Sequence, residues 1–287
     1  MTAGTIDLHL HSTASDGRLD PASLMRHARD CGVTVAALTD HDTTSGLETA
    51  ASEAAALGMS FVPGVEISSE WRGRTIHVLG LAIDPAEPGL VAGLEGLRAE
   101  RGRRAQEIAS RLDAAGAPGT EALQRVLALA ELPTRTHFAR ALAELGAARS
   151  LAEAFERFLG RGRPAAVRSR WPAVTEAVGW IRDAGGVPVL AHPLRYMLSG
   201  GARRDLCREF REAGGLAMEV VCGGASRDQV AQAESLAART GLAGSVGSDF
   251  HDPRVPWNPP GRLAKLPKAV PAVWSIPAFP ISLPDFT

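Results

Sequence analysis

The chain has 287 residues, 45% hydrophobic and 22% charged, enough for one large domain or two smaller ones with a sizeable core. Lys and Arg total 31 against 32 Asp and Glu, a formal net charge of -1, so general attraction to a nucleic-acid backbone and a stable DNA complex are not expected. The composition excludes collagen-like, coiled-coil and disordered classes. The three scattered cysteines, Cys31, Cys207 and Cys222, exclude a disulfide framework and a thiolate zinc site.

Ile6 to Leu10 reads as a strand. Pro21 to Cys31 reads as a helix, with Asp20 as N-cap, Pro21 at the first helical position and Gly32 as the stop. Val33 to Leu38 is a second strand, Thr44 to Leu57 an Ala-rich helix and Phe61 to Ile67 a third strand. Arg74 to Ile83 alternates around His77 as a hairpin arm. From Leu90 to Leu159 strand signals vanish, and Gly116, Pro118, Pro133 and Gly146 punctuate a helical stretch. The βα rhythm then returns. Helices are expected at Thr175 to Ala184, Arg203 to Ala213 and Asp228 to Thr240, and strands at Val187 to Ala191, Leu216 to Val221 and Leu242 to Val246.

The expected organisation is a barrel-forming segment at 1–88, a helical insertion at 89–163, a second barrel segment at 164–252 and an irregular tail at 253–287. No run of ~18 uncharged apolar residues predicts a membrane span. The early Asp7 and His9 leave no room for a signal peptide, so the expected location is cytoplasmic.

Six of the eight histidines fall where a strand meets a loop. His9 and His11, two apart, point to one side of the first strand. His41 follows the second strand, Glu66 ends the third, His77 lies on the hairpin arm, His192 ends the strand at Ala191, and Asp249 and His251 follow the last strand. A lone histidine is more often a satisfied core or capping residue. A full set at strand ends is a different matter, because the carboxyl ends of parallel strands share one mouth. Imidazoles and carboxylates gathered there, without sulfur, form a donor set for divalent cations.

These residues lie in recognisable blocks: Asp7-Leu8-His9-Leu10-His11-Ser12, Ser15-Asp16-Gly17, Thr39-Asp40-His41-Asp42, Pro63-Gly64-Val65-Glu66-Ile67-Ser68, Ala191-His192-Pro193 and Ser248-Asp249-Phe250-His251. In content and order they resemble the motifs of the PHP (polymerase and histidinol phosphatase) superfamily. That resemblance implies an α/β fold, a distorted (β/α)7 PHP barrel with a helical insertion, holding two or three divalent ions. Manganese is favoured, and iron and zinc also suit the donors. It also implies three ligand sets: His9, His11, Glu66 and Asp249; Glu66, His77 and His192, with Glu66 bridging; and Asp16, His41 and His251.

The stretch Pro133-Thr134-Arg135-Thr136-His137-Phe138-Ala139-Arg140, inside the insertion, resembles the PHP phosphoesterases that act on nucleoside 3',5'-bisphosphates, including the group that trims short RNA from its 5' end. The implied reaction removes the 3'-phosphate to leave a 5'-nucleotide. His192, Asp249 and His251 are the catalytic candidates. Three divalent ions against three carboxylates leave an excess of positive charge suited to an anionic phosphate. Arg135 and His137 are candidates for holding the 5'-phosphate, with Thr134 capping the helix that faces it.

Arg195 is a further candidate at the rim, with solvent exposure the alternative. Arg140 is expected at the surface. His27 and the run Arg98 to Arg104 are expected on solvated helix faces, an RNA-contacting strip being the alternative for the run. Asp40 is a candidate for orienting a ligand and Asp42 for capping the helix from Thr44; Ser12 and Ser248 suit turns. Gly223-Gly224 could admit substrate to the backbone but lacks a phosphate-loop fingerprint. The expected partner is a small nucleotide, with short RNA as the alternative substrate. A non-catalytic metal-binding module is the alternative of another class.

Overall fold

A computed structural model describes residues 5–255, 258–283 and 286. Expectations for the first four residues and for tail positions 256–257, 284–285 and 287 lie outside the described residues. Seven strands follow one another in chain order around the sheet: β1 (Thr5–Leu10), β2 (Val33–Leu38), β3 (Ser60–Trp71), β4 (Arg74–Leu81), β5 (Val187–Leu190), β6 (Ala217–Cys222) and β7 (Ala243–Gly247). All neighbours run parallel except β4, which is antiparallel to both β3 and β5. Beyond the last strand, His11 N–H donates to the Phe250 carbonyl at 3.0 Å and Asp249 N–H to the His9 carbonyl at 2.9 Å, joining the last strand to the first. This nearly closed, distorted seven-stranded α/β barrel matches the expected fold class.

The reversed β4 positions His77. A parallel strand brings its carboxyl end to the mouth, and an antiparallel one brings its amino end. His77 lies in the first half of β4, opposite Ser68 of β3, so it reaches the same mouth as the others. β3 runs to Trp71, beyond the expected Ile67, because it pairs with β4 along its whole outer half.

Helices α1 (Pro21–Asp30), α2 (Leu47–Ala56), α7 (Val174–Asp183), α8 (Gly200–Glu212) and α9 (Arg227–Thr240) accompany the barrel. Asp20 caps α1 through Ser23 N–H, as the sequence predicts. The second helix starts at Leu47 rather than Thr44 and has no side-chain cap. Asp42 does not cap it, because that carboxylate is engaged elsewhere. Strand and helix side chains such as Leu8, Leu38, Ile67, Leu79 and Phe210 fill a continuous core, each contributing about 1.5–3 kcal/mol by burial.

Helices α3 (Pro88–Ala114), α4 (Gly119–Leu129), α5 (Arg135–Glu144) and α6 (Leu151–Ala154), with a π-helical turn at Phe155–Leu159, pack around a second apolar cluster that includes Leu112, Phe138, Leu142 and Leu159. The described tail crosses the barrel end, where Gly244 N–H donates to the Pro271 carbonyl at 2.8 Å, and contains a short 3-10 turn at Val273–Ser275. Among the described residues no helix is long and apolar enough to cross a membrane.

Candidate metal centre

Glu66, fully buried, is the hub. Its Oε1 lies 3.0 Å from His77 Nδ1 and 3.0 Å from His192 Nε2. Its Oε2 lies 3.3 Å from His9 Nε2, 3.2 Å from His11 Nε2 and 2.9 Å from His41 Nδ1. Five imidazoles from strands and the loops that extend them therefore meet one carboxylate. Asp249 Oδ1 lies 3.4 Å from His9 Nε2 and 3.2 Å from His11 Nε2. Asp16 Oδ1 lies 3.3 Å from His251 Nε2 and 3.9 Å from His41 Nε2. All nine residues expected as ligands thus gather in one connected cluster.

The donor geometry suits cations. His9, His11, Glu66 and Asp249 form one group, and His11, Asp16, His41 and His251 another. A third joins Glu66 and His77 with His41, and His192 reaches the same Glu66 oxygen as His77. In the first group His9 Nε2 and His11 Nε2 stand 3.0 Å apart, and their distances to the two carboxylates are 3.2–3.4 Å. Four donors arranged tetrahedrally about 2.1 Å from one ion would stand about 3.4 Å apart. Asp16 Oδ1, His41 Nδ1, Glu66 Oε2 and His192 Nδ1 are buried without a hydrogen-bond partner, although buried polar atoms are nearly always satisfied. His41 Nδ1 and Glu66 Oε2 approach closely yet are not aligned for hydrogen bonding, as expected of two atoms aimed at a common third. The residues present therefore fit divalent ions.

The electrostatics agree. Burial opposes ionisation of Glu66, yet His41, His77 and His9 hold its carboxyl well below the usual range. Asp249 and Asp16 behave alike, with burial outweighed by His9 and His251 and by His251 and His41 respectively. Burial opposes protonation of His11 too, yet Asp249 and Glu66 raise it to about 10. The carboxylates draw positive charge into the cavity, and bound cations would replace those protons.

A surrounding set of residues fixes the donors. Glu219 Oε1 accepts from His9 Nδ1 at 2.9 Å, and Oε2 accepts the His192 backbone N–H at 2.6 Å. With Nδ1 protonated, His9 presents a free Nε2 lone pair. His251 Nδ1 likewise donates to the Asp249 carbonyl at 2.9 Å and leaves Nε2 towards Asp16. Tyr196, the chain's one tyrosine, accepts the His77 backbone N–H at 2.8 Å. Asp40 orients the loop, accepting from Ser12 N–H at 2.7 Å, Ser12 Oγ at 2.6 Å and Ser15 Oγ at 2.5 Å. His192 (φ 30°), Asp249 (φ 55°) and Asp42 (φ 52°) occupy the left-handed region, where non-glycine residues cost about 1–3 kcal/mol each. A Cβ on Gly17 would stand 2.3 Å from the His11 carbonyl oxygen, so the Ser15-Asp16-Gly17 turn that brings in Asp16 requires glycine there.

Several residues expected in solvent are not there. Arg101 is buried, and its Nε donates to Asp42 Oδ2 at 2.7 Å while Nη2 donates to Ser68 Oγ at 3.1 Å. Arg104 is half-buried, its guanidinium 5.6 Å from the Trp171 ring centroid. In the same run Arg98 is exposed and Arg103 pairs outward with Glu100 and Glu107. The run thus covers more than one face of α3, and packing against the barrel sorts them. Arg140 is half-buried, with Nη2 donating to the Asp16 carbonyl at 2.7 Å. Its long side chain reaches the barrel loop that the helical insertion covers. His27 is also half-buried, 5.2 Å from the Phe250 ring.

Thr134 does cap α5. Its Oγ1 accepts His137 N–H at 3.2 Å, while His137 Nδ1 accepts Thr134 N–H at 3.2 Å. Arg135 lines a large cleft beside the donor cluster, whereas His137 lines a second cavity with Arg18 and Arg140. Arg195 Nη1 pairs with Asp249, and Nη2 donates to the Gly223 carbonyl at 3.0 Å. Gly223 and Gly224 line a small pocket with His192, Arg195 and Glu219. Ser248 N–H donates to Asp7 at 2.9 Å, and its hydroxyl contacts the His9 carbonyl at 3.5 Å, so it ties the end of β7 to β1.

Sequence reasoning passed over Glu219 and placed Arg101 in a solvated run. The signal for Glu219 was a carboxylate inside an otherwise apolar buried strand, which demands a partner.

The PHP domain family model matches residues 7–131. A Chromobacterium violaceum protein named 3',5'-nucleoside bisphosphate phosphatase is 41% identical over 270 residues, covering 94% of this chain and 95% of that one. A Haemophilus influenzae protein named 5'-3' exoribonuclease is 41% identical over 268 residues, covering 93% and 97%. A solved Chromobacterium violaceum structure, described as an amidohydrolase with bound sulfate and no metal, superposes with a TM-score of 0.89 at 40% identity, covering 94% and 95%. With relatives this similar along nearly their whole length, and with the family's motif residues gathered at one barrel mouth, the chain belongs to the PHP domain family.

Proposed function

We propose that this protein is a metal-dependent phosphoesterase that removes the 3'-phosphate from nucleoside 3',5'-bisphosphates. One observation carries the reading: nitrogen and oxygen donors converge around Glu66 beside a cleft rich in arginine. The name of the Chromobacterium relative supports the same substrate.

In this reading His9, His11, Glu66 and Asp249 hold one ion; Glu66, His77 and His192 hold a second; and Asp16, His41 and His251 hold a third. When bound, divalent ions supply charge neutralisation on the phosphate and a source of hydroxide near neutral pH. The remaining work falls to the chain. Glu219 fixes the His9 tautomer and the His192 backbone. His192, Asp249 and His251 serve in this reading as the catalytic residues, a role their convergence with Glu66 and Asp16 supports. Arg195, paired with Asp249 at the rim, is placed to transfer its hydrogen bonds to a phosphate oxygen. Arg135 offers a planar fork for the 5'-phosphate. His137 and Thr134 support that residue's helix, and direct phosphate contact by His137 requires the ligand to bridge the two cavities. Manganese suits the nitrogen and oxygen donors, and the unpaired cysteines agree with a cytoplasmic location.

Exonuclease action on short RNA from the 5' end is the second reading, favoured by the name of the Haemophilus relative. The two differ only in whether the scissile phosphate ends the substrate or carries a further nucleoside. Phosphate release from adenosine 3',5'-bisphosphate, compared with turnover of a 5'-phosphorylated dinucleotide with manganese added, tests both. Asp249→Asn and His192→Ala should nearly abolish turnover in folded protein. Full activity of either variant, or of metal-stripped protein, would overturn the reading.

A further inference from the structure

A cleft of about 790 Å³ lies beside the donor cluster, bordered by Arg195 and Tyr196, the β3–β4 turn, the insertion helices and the segment after the π-helical turn. Its volume is that of a small-molecule site, far more than one phosphate group fills. Seven arginines and one carboxylate line it. Three of the seven are matched: Arg72 by Glu209, Arg168 by Glu70 and Arg195 by Asp249. Among the described residues Arg74, Arg104, Arg135 and Arg161 have no carboxylate within ion-pair distance. Arg104 Nε is buried without a hydrogen-bond partner. Burial, then Arg135 and Arg101, push its guanidinium down to about 9. Like charges crowded in this way destabilise the empty protein unless an anion joins them.

The four free guanidiniums come from four different segments around one cleft, and one pair of them interacts. Arg104, on α3, feels the charge of Arg135, on α5. Arg74 opens β4, and Arg161 follows the π-helical turn. A single 5'-phosphate carries a charge of about -2 at neutral pH, which the first pair alone balances. We propose that the cleft holds two phosphate groups at once, the first on Arg104 and Arg135 and the second on Arg74 and Arg161. The proposal rests on the phosphoesterase reading for the identity of the first phosphate. The second could be the β-phosphate of a 5'-pyrophosphate or a further phosphodiester of an RNA strand.

Titration calorimetry on the metal-loaded protein tests this with AMP and ADP. ADP should bind about tenfold more tightly than AMP, and in the double variant R74Q/R161Q that ratio should fall towards one. R104Q should weaken both nucleotides by similar factors. A collapsed ratio in the double variant supports the second subsite and assigns it to a pyrophosphate. A roughly tenfold rise in the KM of a 5'-phosphorylated trinucleotide, with the nucleotide ratio unmoved, supports it and assigns it to a strand. Neither change, or equal weakening of AMP and ADP by the double variant, overturns the proposal. Bisphosphate turnover is scored separately. Its absence would remove the phosphoesterase reading while the binding ratios still report on the cleft.

Discussion

Arg101, carried by the insertion, donates through Nε to Asp42 at 2.7 Å, and Asp42 directly follows His41. The same carboxylate accepts Ser68 N–H at 2.6 Å, and Asp42 N–H donates to the Glu66 carbonyl at 2.9 Å. Arg101 Nη1 also reaches the Pro133 carbonyl at 3.5 Å, just before the capped start of α5. One buried cation therefore links the insertion to the backbone of two candidate ligands.

Arg101→Leu should strand the Asp42 charge in the interior. Removing one partner of a buried pair costs about 3–5 kcal/mol. Urea unfolding of metal-loaded protein should show a loss of that size, with metal content reduced. A loss under about 1 kcal/mol would mean that Asp42 finds water or another donor.

Glu219→Gln keeps the side chain's shape but cannot accept from both His9 Nδ1–H and the His192 N–H, because one oxygen becomes a donor. Metal affinity should fall about 10–100-fold, as is typical for groups that orient a ligand. Competition with a metallochromic chelator measures this, and unchanged affinity would remove Glu219 from its proposed role.

Gly247→Ala tests the space behind His9. An added Cβ would stand 2.3 Å from His9 Cβ and 2.6 Å from Glu219 Oε1. Overpacking of this kind costs about 1–3 kcal/mol. The variant should melt lower and bind metal more weakly, and a protein with wild-type melting and metal content would show that β7 can shift.

His137 gives a pH dependence. Burial pushes its imidazole down to about 4, against about 6.5 in the unfolded chain. Between those values the unfolded chain takes up the proton first. The neutral ring therefore contributes stability that is complete above about pH 6.5 and is lost as pH falls through about 4. The ring is half-buried, so the loss should be at most about 3 kcal/mol. His137→Gln retains an N3 side chain able to complete the capping box but does not titrate. Relative to this variant, the wild type should lose about 1–3 kcal/mol between about pH 7 and pH 4. Parallel curves would contradict the assignment.

The donor residues were legible because each motif ends a strand with a hydrophobic run that the strand period makes visible, as in Ile6 to Leu10 before His11. His77 was legible only as a hairpin residue, since nothing local shows that β4 runs backwards and thereby turns it to the mouth. Arg101 and Arg104 looked like members of a solvated run because charge on a long helix carries no local mark of which face is covered. Glu219 was hidden for the converse reason: its strand reads as core, and its partner His9 lies 210 positions away. Sequence by itself determined the alternating βα order and, through motifs that resemble a known family, the expected barrel class and the candidate donors, because period, capping and motif are local properties. The tertiary structure alone decided which arginines lose their water, which histidine tautomers are fixed and which cavity each side chain enters, because burial and pairing depend on elements that meet only when the chain folds.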